Sequence, residues 1–302
     1  MYIYPTHTSH IIKGFKITPA KPKIPNNHAN QPNKYSKNAK KDEFILFILH
    51  KTNKSGDIML ELNKIYNMDC LEGMKQIPDK SIDMILCDLP YGTTACKWDT
   101  IIPFEPLWEQ YNRVIKDNGA IVLFASQPFT SELIHSNIEN FKSNYVWEKE
   151  KGSNFLNSKK QPMRFFEDIA VFYRKQCTYN PQMVMGEPYK RPNSPNKNKG
   201  YVRSFNALNR EYDGTRCPSN ILKFKRETGL HPTQKPTALC EYLIKTYTNE
   251  NETVLDNCIG SGTTAIACIN TNRNFIGFEL DTGYFNLANE RIANHFNPLS
   301  LI

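Results

Sequence analysis

A doubly wound α/β fold with a mostly parallel sheet is what this 302-residue sequence predicts. Three observations carry the prediction. From Leu62 onward, short apolar runs alternate with stretches of helical spacing, the order expected of βαβ units. Two of the runs, IDMILCD at residues 82–88 and TVLD at 253–256, lead straight into turn-forming segments. Between the two halves, residues 177–228 break the alternation with Pro, Asn, Gly and basic residues, the texture of an insert.

Residues 1–58 come first and are rich in Lys, Asn, Pro and His without sustained periodicity, which is the composition of a disordered tail. Met59 stands a few residues before the first expected strand, so the tail reads either as the product of a misplaced start or as a basic arm for a polyanion. Residues 63–68 and 82–88 read as strands, the second fully buried. Helical spacing over 104–116 stops near Gly119, and strands are expected at 120–125, 145–148 and 169–173. After the insert come a helix near 237–247, a strand at 253–256, a Gly-rich turn opening a helix, a strand at 275–279 and a last helix near 284–294. The expected organisation is a tail (1–58), a first half-domain (59–176), the insert (177–228) and a second half-domain (229–302).

Composition excludes several classes. The longest apolar run, Phe44 to Leu49, is six residues, against roughly 20 for a membrane span, and no secretory signal pattern opens the chain. Eight cysteines are scattered with no C-x-x-C pair. That argues against a zinc site and fits reduced thiols in a cytoplasm. Charge is uneven. Residues 1–56 hold ten Lys against Asp42 and Glu43, and residues 151–228 carry 16 Lys and Arg against 6 acidic residues. A basic segment in an acidic body is either a polyanion-binding insert or a solvated surface.

Two motifs carry chemistry. In Leu255-Asp256-Asn257-Cys258-Ile259-Gly260-Ser261-Gly262-Thr263-Thr264-Ala265 the glycines let a ligand approach the backbone where a helix opens. Glu279 ends the next strand, where an acid accepts hydrogen bonds from ribose hydroxyls in nucleotide-binding folds. Alone, this motif fits an adenosine-type ligand or merely a tight turn, and a nicotinamide-dependent oxidoreductase stays open. The second motif is Asp88-Leu89-Pro90-Tyr91, directly after the buried strand. A carboxylate and a proline carbonyl can both accept from an exocyclic amine while the tyrosine ring stacks on a planar base. The plain alternative is a turn after a strand.

Together the motifs resemble the amino-group DNA methyltransferases that use S-adenosylmethionine. Asp88-Leu89-Pro90-Tyr91 matches their catalytic tetrapeptide, Asp256 through Thr264 their cofactor loop, and His231-Pro232-Thr233-Gln234-Lys235-Pro236 the block preceding that loop. The order of blocks is that of the family's permuted β group, over about residues 60–295. The resemblance implies a Rossmann-like methyltransferase sheet with an inserted target-recognition region. It implies Asp88, Pro90 and Tyr91 around the flipped base, and Gly260, Ser261, Gly262 and Thr263, after Asp256, around the methionine part of S-adenosylmethionine. Thr233, Gln234 and Lys235 would hold its carboxylate, Glu279 its ribose, and Asp69 would lie near its adenine. Leu89 stands where proline is commoner, and Asn257-Cys258 replaces the usual Pro-Phe, which removes an aromatic wall. Trp147 and Lys149 match a weaker block but also suit a core, and Phe165-Phe166-Glu167-Asp168 offers a stacking aromatic or simple packing.

The implied activity is methylation of an exocyclic amine of a flipped base in double-stranded DNA, at adenine N6 with cytosine N4 as the alternative. A catalytically silent DNA-binding homologue is the rival from another class. Lys190, Arg191, Lys197, Lys199, Arg203, Arg210 and Arg216 would bind phosphates. A cytoplasmic, DNA-associated enzyme is implied, with a homodimer and a cognate restriction endonuclease as conceivable protein partners, and neither metal nor membrane.

Overall fold

The computed structural model describes residues 60–92, 99–191, 210–227, 229 and 234–296. The expected tail over 1–58, Met59, His231, Pro232, Thr233, Lys197, Lys199, Arg203 and the side chains of Arg191 and Arg210 lie outside the described residues.

The strands in chain order are β1 (Lys64–Asn67), β2 (Ile82–Asp88), β3 (Ile115–Ala125), β4 (Phe141–Ser153), β5 (Arg164–Phe172), β6 (Val184–Met185), β7 (Tyr189–Arg191), β8 (Arg210–Tyr212), β9 (Thr215–Arg216), β10 (Ile221–Lys223), β11 (Thr253–Asp256) and β12 (Asn274–Glu279). Eight of them form one sheet in the order β1-β12-β11-β2-β3-β5-β4-β10. Every neighbour pair is parallel except those made by β5, which runs against both β3 and β4. This is the doubly wound, mostly parallel sheet that the alternation predicts.

Both faces of the sheet are covered, which explains why its central strands are mostly apolar without strict alternation. Successive side chains point to opposite faces. Ile85 and Cys87 of β2, with Leu123 and Leu255, pack under helices α1 (Cys70–Met74), α2 (Phe104–Val114) and α3 (Phe129–Ser136). Met84 and Leu86, with Val122, Phe124 and Val254, pack under α4 (Thr237–Tyr247), α5 (Thr263–Asn270) and α6 (Thr282–Phe296). No helix among the described residues is long and apolar enough to cross a membrane.

The region expected as an insert is anchored at both ends. Cys177 is buried, and the Asn180 amide N–H donates to the Thr246 carbonyl at 2.7 Å. Residues 221–223 join the sheet as β10, in register with Val146, Trp147 and Glu148 of β4. What stands apart between these anchors, among the described residues, is a pair of two-stranded ribbons, β6 with β9 and β7 with β8.

Candidate active site

Asp88 is the last residue of β2, in register with Phe124 on β3. Asp256 ends β11 and Glu279 ends β12, two neighbouring strands of the same parallel set. Parallel strands deliver their carboxyl ends to one edge, so the three acids meet there. They line a single cavity of about 620 Å³, together with Asp69, Pro90, Tyr91, Gln234, Lys235, Gly260, Ser261 and Thr263. Sequence-distant residues from both halves of the chain thus share one space.

At one end lies the glycine turn. Gly260 has φ +54°, a left-handed conformation, and a Cβ added to it would meet nothing within 4 Å. Its N–H donates to Glu279 Oε2 at 2.9 Å, and the Asp281 N–H donates to Glu279 Oε1 at 2.8 Å. Gly262 (φ +80°) caps α5, and its missing side chain faces Ala288 of α6, whose Cβ would stand 3.1 Å from a Cβ at 262. Gly262 therefore serves helix packing, while Gly260 keeps the cavity floor bare. Arg291 of α6 donates to the Ser261 carbonyl at 3.2 Å and to Thr263 Oγ1 at 3.0 Å, bracing the turn. Asp256 is 5% exposed, and burial pushes its carboxyl up to about 7, with bonds from Thr264 and from the Cys258 N–H pulling the other way.

Asp69 lines the cavity and also caps α1, accepting from the N–H groups of Leu71 and Glu72 at 2.9 and 3.2 Å. The pair Asn257-Cys258 builds a polar wall in place of an aromatic one. Asn257 is buried, its Oδ1 accepts from the Tyr111 hydroxyl at 2.5 Å, and its amide reaches the Cys70 and Cys258 sulfurs.

At the other end the Tyr91 hydroxyl donates to Asp88 Oδ1 at 2.7 Å, and the Tyr91 ring stacks on Phe129 with centroids 5.2 Å apart. Lys235 is 7% exposed and donates to Asp88 Oδ2. The same ammonium lies 3.4 Å from Glu167 Oε2, and Glu167 Oε1 accepts from Lys149. A four-member chain of alternating charge, Lys149, Glu167, Lys235 and Asp88, therefore runs under the cavity. Burial raises the Asp88 carboxyl above its usual range against the pull of Lys235. Burial opposes the Lys235 ammonium as well, yet Asp88 and Glu167 more than offset it and hold lysine above its ordinary value. Glu167 feels burial first, but its two lysines leave it below the usual carboxylate range.

Gln234 and Lys235, the described residues of the His-Pro-Thr block that line the cavity, both hold protein partners. The Lys235 ammonium is engaged by Asp88 and Glu167, not held out for an incoming carboxylate. Gln234 Nε2 donates to Glu227 Oε2 at 3.0 Å, while its buried Oε1 has no hydrogen-bond partner among the described residues. Glu227 also accepts from the Thr237 N–H at 2.7 Å, so it ties Gln234 to the start of α4. Neither Glu167 nor Glu227 stands out in the sequence as a site residue. The only hint for Glu167 is the acid pair Glu167-Asp168 in a strand that then turns apolar.

A parallel sheet whose bare glycine turn, ribose-height acid and acidic tetrapeptide open onto one cavity defines an α/β enzyme that sets a nucleoside-type ligand beside a carboxylate. The family model described as DNA methylase matches residues 82–290. The chain belongs to this DNA methylase family, the S-adenosylmethionine-dependent methyltransferases that act on amino groups of DNA. It is similar to the Type II methyltransferase M.HpaI of Haemophilus parainfluenzae, 30% identical over 256 residues, 78% of this chain and 75% of that protein. It is similar also to the DNA adenine methyltransferase YhdJ of Escherichia coli (strain K12), 28% identical over 264 residues, 80% of this chain and 87% of that protein. Among solved structures, the M1.HpyAVI–SAM complex aligns with TM-score 0.52 and 29% identity over 76% of this chain and 98% of that one.

Proposed function

We propose that this chain methylates the exocyclic N6 amine of adenine in double-stranded DNA, at a base turned out of the helix. The observation that carries the reading is the shared cavity: Asp88, Pro90 and Tyr91 at one end, the Gly260 turn and Glu279 at the other. Aspartate at the head of the tetrapeptide favours adenine over cytosine N4, and the word adenine in the name of YhdJ supports the same choice.

The residues fit S-adenosylmethionine. The cavity is large enough for a drug-sized ligand, the Cβ position of Gly260 is open space, and the buried amide oxygen of Gln234 is unpartnered among the described residues. Gly260, Ser261 and Thr263 would hold its methionine part, with Gly262 shaping the turn behind them; Glu279 would hold the ribose and Asp69 flank the adenine. Asp256 would fix the loop. When bound, the cofactor supplies an electrophilic methyl group.

The chain's own groups do the rest. The Asp88 carboxylate and the Pro90 carbonyl accept the two amine hydrogens, which turns the nitrogen lone pair out of ring conjugation and stabilises the positive charge that develops there. Tyr91, backed by Phe129, presents a face for the base. Lys235 keeps Asp88 ionised inside a cavity that would otherwise favour its protonated form, and the proton the amine gives up goes to the Asp88 carboxylate. No covalent bond to the protein is needed. The basic ribbons near Lys190 and Arg216 would contact phosphates. The reading admits two protein partners, a second copy of the chain and a cognate endonuclease. Light scattering and protection of host DNA from digestion test them separately.

Sequencing of DNA from a host expressing this chain, with modified-base detection, tests the function. N6-methyladenine at one recurring sequence, lost in Asp88→Ala, is expected. N4-methylcytosine would overturn the choice of base, and unmodified DNA with the active chain would overturn the reading.

A further inference from the structure

The carboxyl edge of the sheet is not level. The row through Asp88 continues as Phe124 on β3, Ile169 on β5 and Tyr145 on β4. Beyond that row β4 runs on to Ser153, and β5 begins at Arg164, paired with it. β4 bulges between Glu148 and Ser153, so the rise is set by the five steps of β5 from Ile169 to Arg164, roughly 16 Å at about 3.3 Å per residue. A β4–β5 hairpin therefore overhangs the edge on which the cavity opens. That exceeds the roughly 8 Å depth of a DNA groove.

Its root is tied down. Arg164 reaches Ser126 Oγ at 3.4 Å, and Gly152 leaves the space that Phe165 and Met163 fill, since a Cβ there would stand 2.7 Å from the Phe165 ring. Its tip is a short 3-10 turn, Phe155–Asn157, after Asn154 in the left-handed region at φ +67°. The turn is closed by its own bonds: Asn157 N–H to the Asn154 carbonyl at 3.1 Å, Asn157 Nδ2 to Asn154 Oδ1 at 2.8 Å, and Ser158 N–H to the Phe155 carbonyl at 3.0 Å. On this ordered turn Phe155 is 72% exposed and Leu156 96% exposed. Two large apolar side chains held out on a hydrogen-bonded tip call for a partner. The tip's charge says which kind. Residues 151–164 contain Lys151, Lys159, Lys160 and Arg164, all exposed, and no acidic residue.

We propose that the β4–β5 hairpin tip is a DNA wedge: Phe155 and Leu156 enter the base stack beside the target and hold the gap open, while Lys151, Lys159, Lys160 and Arg164 grip the flanking phosphates. The chemistry is that of apolar side chains which unstack a base step and trade that cost against a wider contact. The inference rests on the proposed function, because a wedge has use only where a base leaves the duplex. It assigns DNA contact to a segment outside the 177–228 region, where the sequence alone places it.

The test uses the full chain and two synthetic duplexes carrying the site found by modified-base sequencing, one fully matched and one with the target adenine mispaired. Phe155→Ser/Leu156→Ser changes only exposed side chains, so thermal stability and S-adenosylmethionine affinity should not move. Its single-turnover rate should fall about tenfold or more on the matched duplex and return to within about twofold of the unaltered chain on the mispaired one, where unstacking costs less. Lys159→Ala/Lys160→Ala should weaken binding to both duplexes alike and reduce the slope of log affinity against log salt by about 2. Equal loss on both duplexes, or no loss on either, overturns the wedge. A fall in solution mass of the apolar double variant without DNA overturns it too, since the tip would then be a contact between copies of the chain. An unaltered chain inactive on both duplexes would instead count against the proposed function.

Discussion

Replacing Lys235 by methionine separates two accounts of the active site. Lys235 touches Asp88 and stands 3.4 Å from Glu167 Oε2. A charge pair about 4 Å apart is worth about 4 kcal/mol at an effective dielectric of about 20, which is about a thousandfold in an ionisation equilibrium. Lys235→Met removes the cation that opposes burial at Asp88, so the carboxyl rises further and its ionised fraction at neutral pH falls. The sign follows: the active form is the ionised one, so turnover at pH 7 should fall, by up to the about thousandfold that the lost pair is worth, and recover as pH rises. The assay is single-turnover methylation from pH 6 to 10, with cofactor affinity measured by calorimetry. Cofactor affinity should change little. Because an uncompensated buried charge can cost about 3–5 kcal/mol of stability, the Glu167→Gln/Lys235→Met double variant accompanies it. That pair removes one carboxylate with the cation, and it should fold and regain part of the activity at neutral pH. If Lys235→Met loses cofactor binding while keeping the original pH profile, the ammonium serves the cofactor's carboxylate and the reasoning fails.

Other outcomes follow from the same geometry. Gly262→Val should lower the melting temperature as well as cofactor affinity, because φ is +80° and Ala288 stands 3.1 Å from a Cβ there; a variant with intact stability and lost affinity would put the side chain in the cavity instead. Tyr111→Phe leaves the buried Asn257 oxygen without its 2.5 Å donor, a loss of about 1–3 kcal/mol that thermal melting should show as several degrees. Asp256 has a folded value of about 7 against an ordinary value of 3.8, so its stabilising protonated form is complete below pH 4 and is lost as pH rises through 7. The ligand-free chain should lose roughly 4 kcal/mol across that window from this group, and Asp256→Asn should abolish the trend. Equal pH dependence in both forms would show that Asp256 is ionised when folded.

How far the sequence reaches depends on the range of the interaction that sets each feature. Strands at 82–88 and 253–256 are legible because both faces are covered, so most of their residues are apolar and each closes on an aspartate. Helix α1 is not: it has five residues and contains Gly73, a poor helix former. Its reason lies across the fold, since a Cβ at 73 would stand 2.3 Å from the Phe278 ring. The strand expected at 145–148 extends to Phe141–Ser153 because its charged outer half pairs with β5 beyond the core, where no alternation is enforced. In the site, Asp88, Pro90, Tyr91, Gly260 and Glu279 are local-motif residues and can be read off the chain. Glu167 acquires its place only when β5 comes back antiparallel beside β3 and β4, which no local pattern announces.

That nonlocal carboxylate explains why the site contains a chain of charges at all. Buried ion pairs seldom add net stability over apolar side chains of similar volume, because desolvation offsets the attraction. Lys149, Glu167, Lys235 and Asp88 therefore cost the fold something, and packing alone gives no reason to keep them. Burial alone pushes the Asp88 carboxyl upward, and a neutral acid is a poor acceptor for an amine that is losing a proton. One lysine beside it would restore the charge but would hold the carboxylate tightly and compete with the amine. Glu167 divides the attention of Lys235, and Lys149 in turn balances Glu167, so the ammonium is shared along the chain. The arrangement opposes the effect of burial on Asp88 while leaving it able to accept a new donor, which is the property the proposed amine-directed role requires. Its sign is testable in Glu167→Gln alone. Lys235 then pairs with Asp88 undivided, so the pH profile should move toward acid while maximal turnover falls, and an unmoved profile would show that Glu167 plays no part.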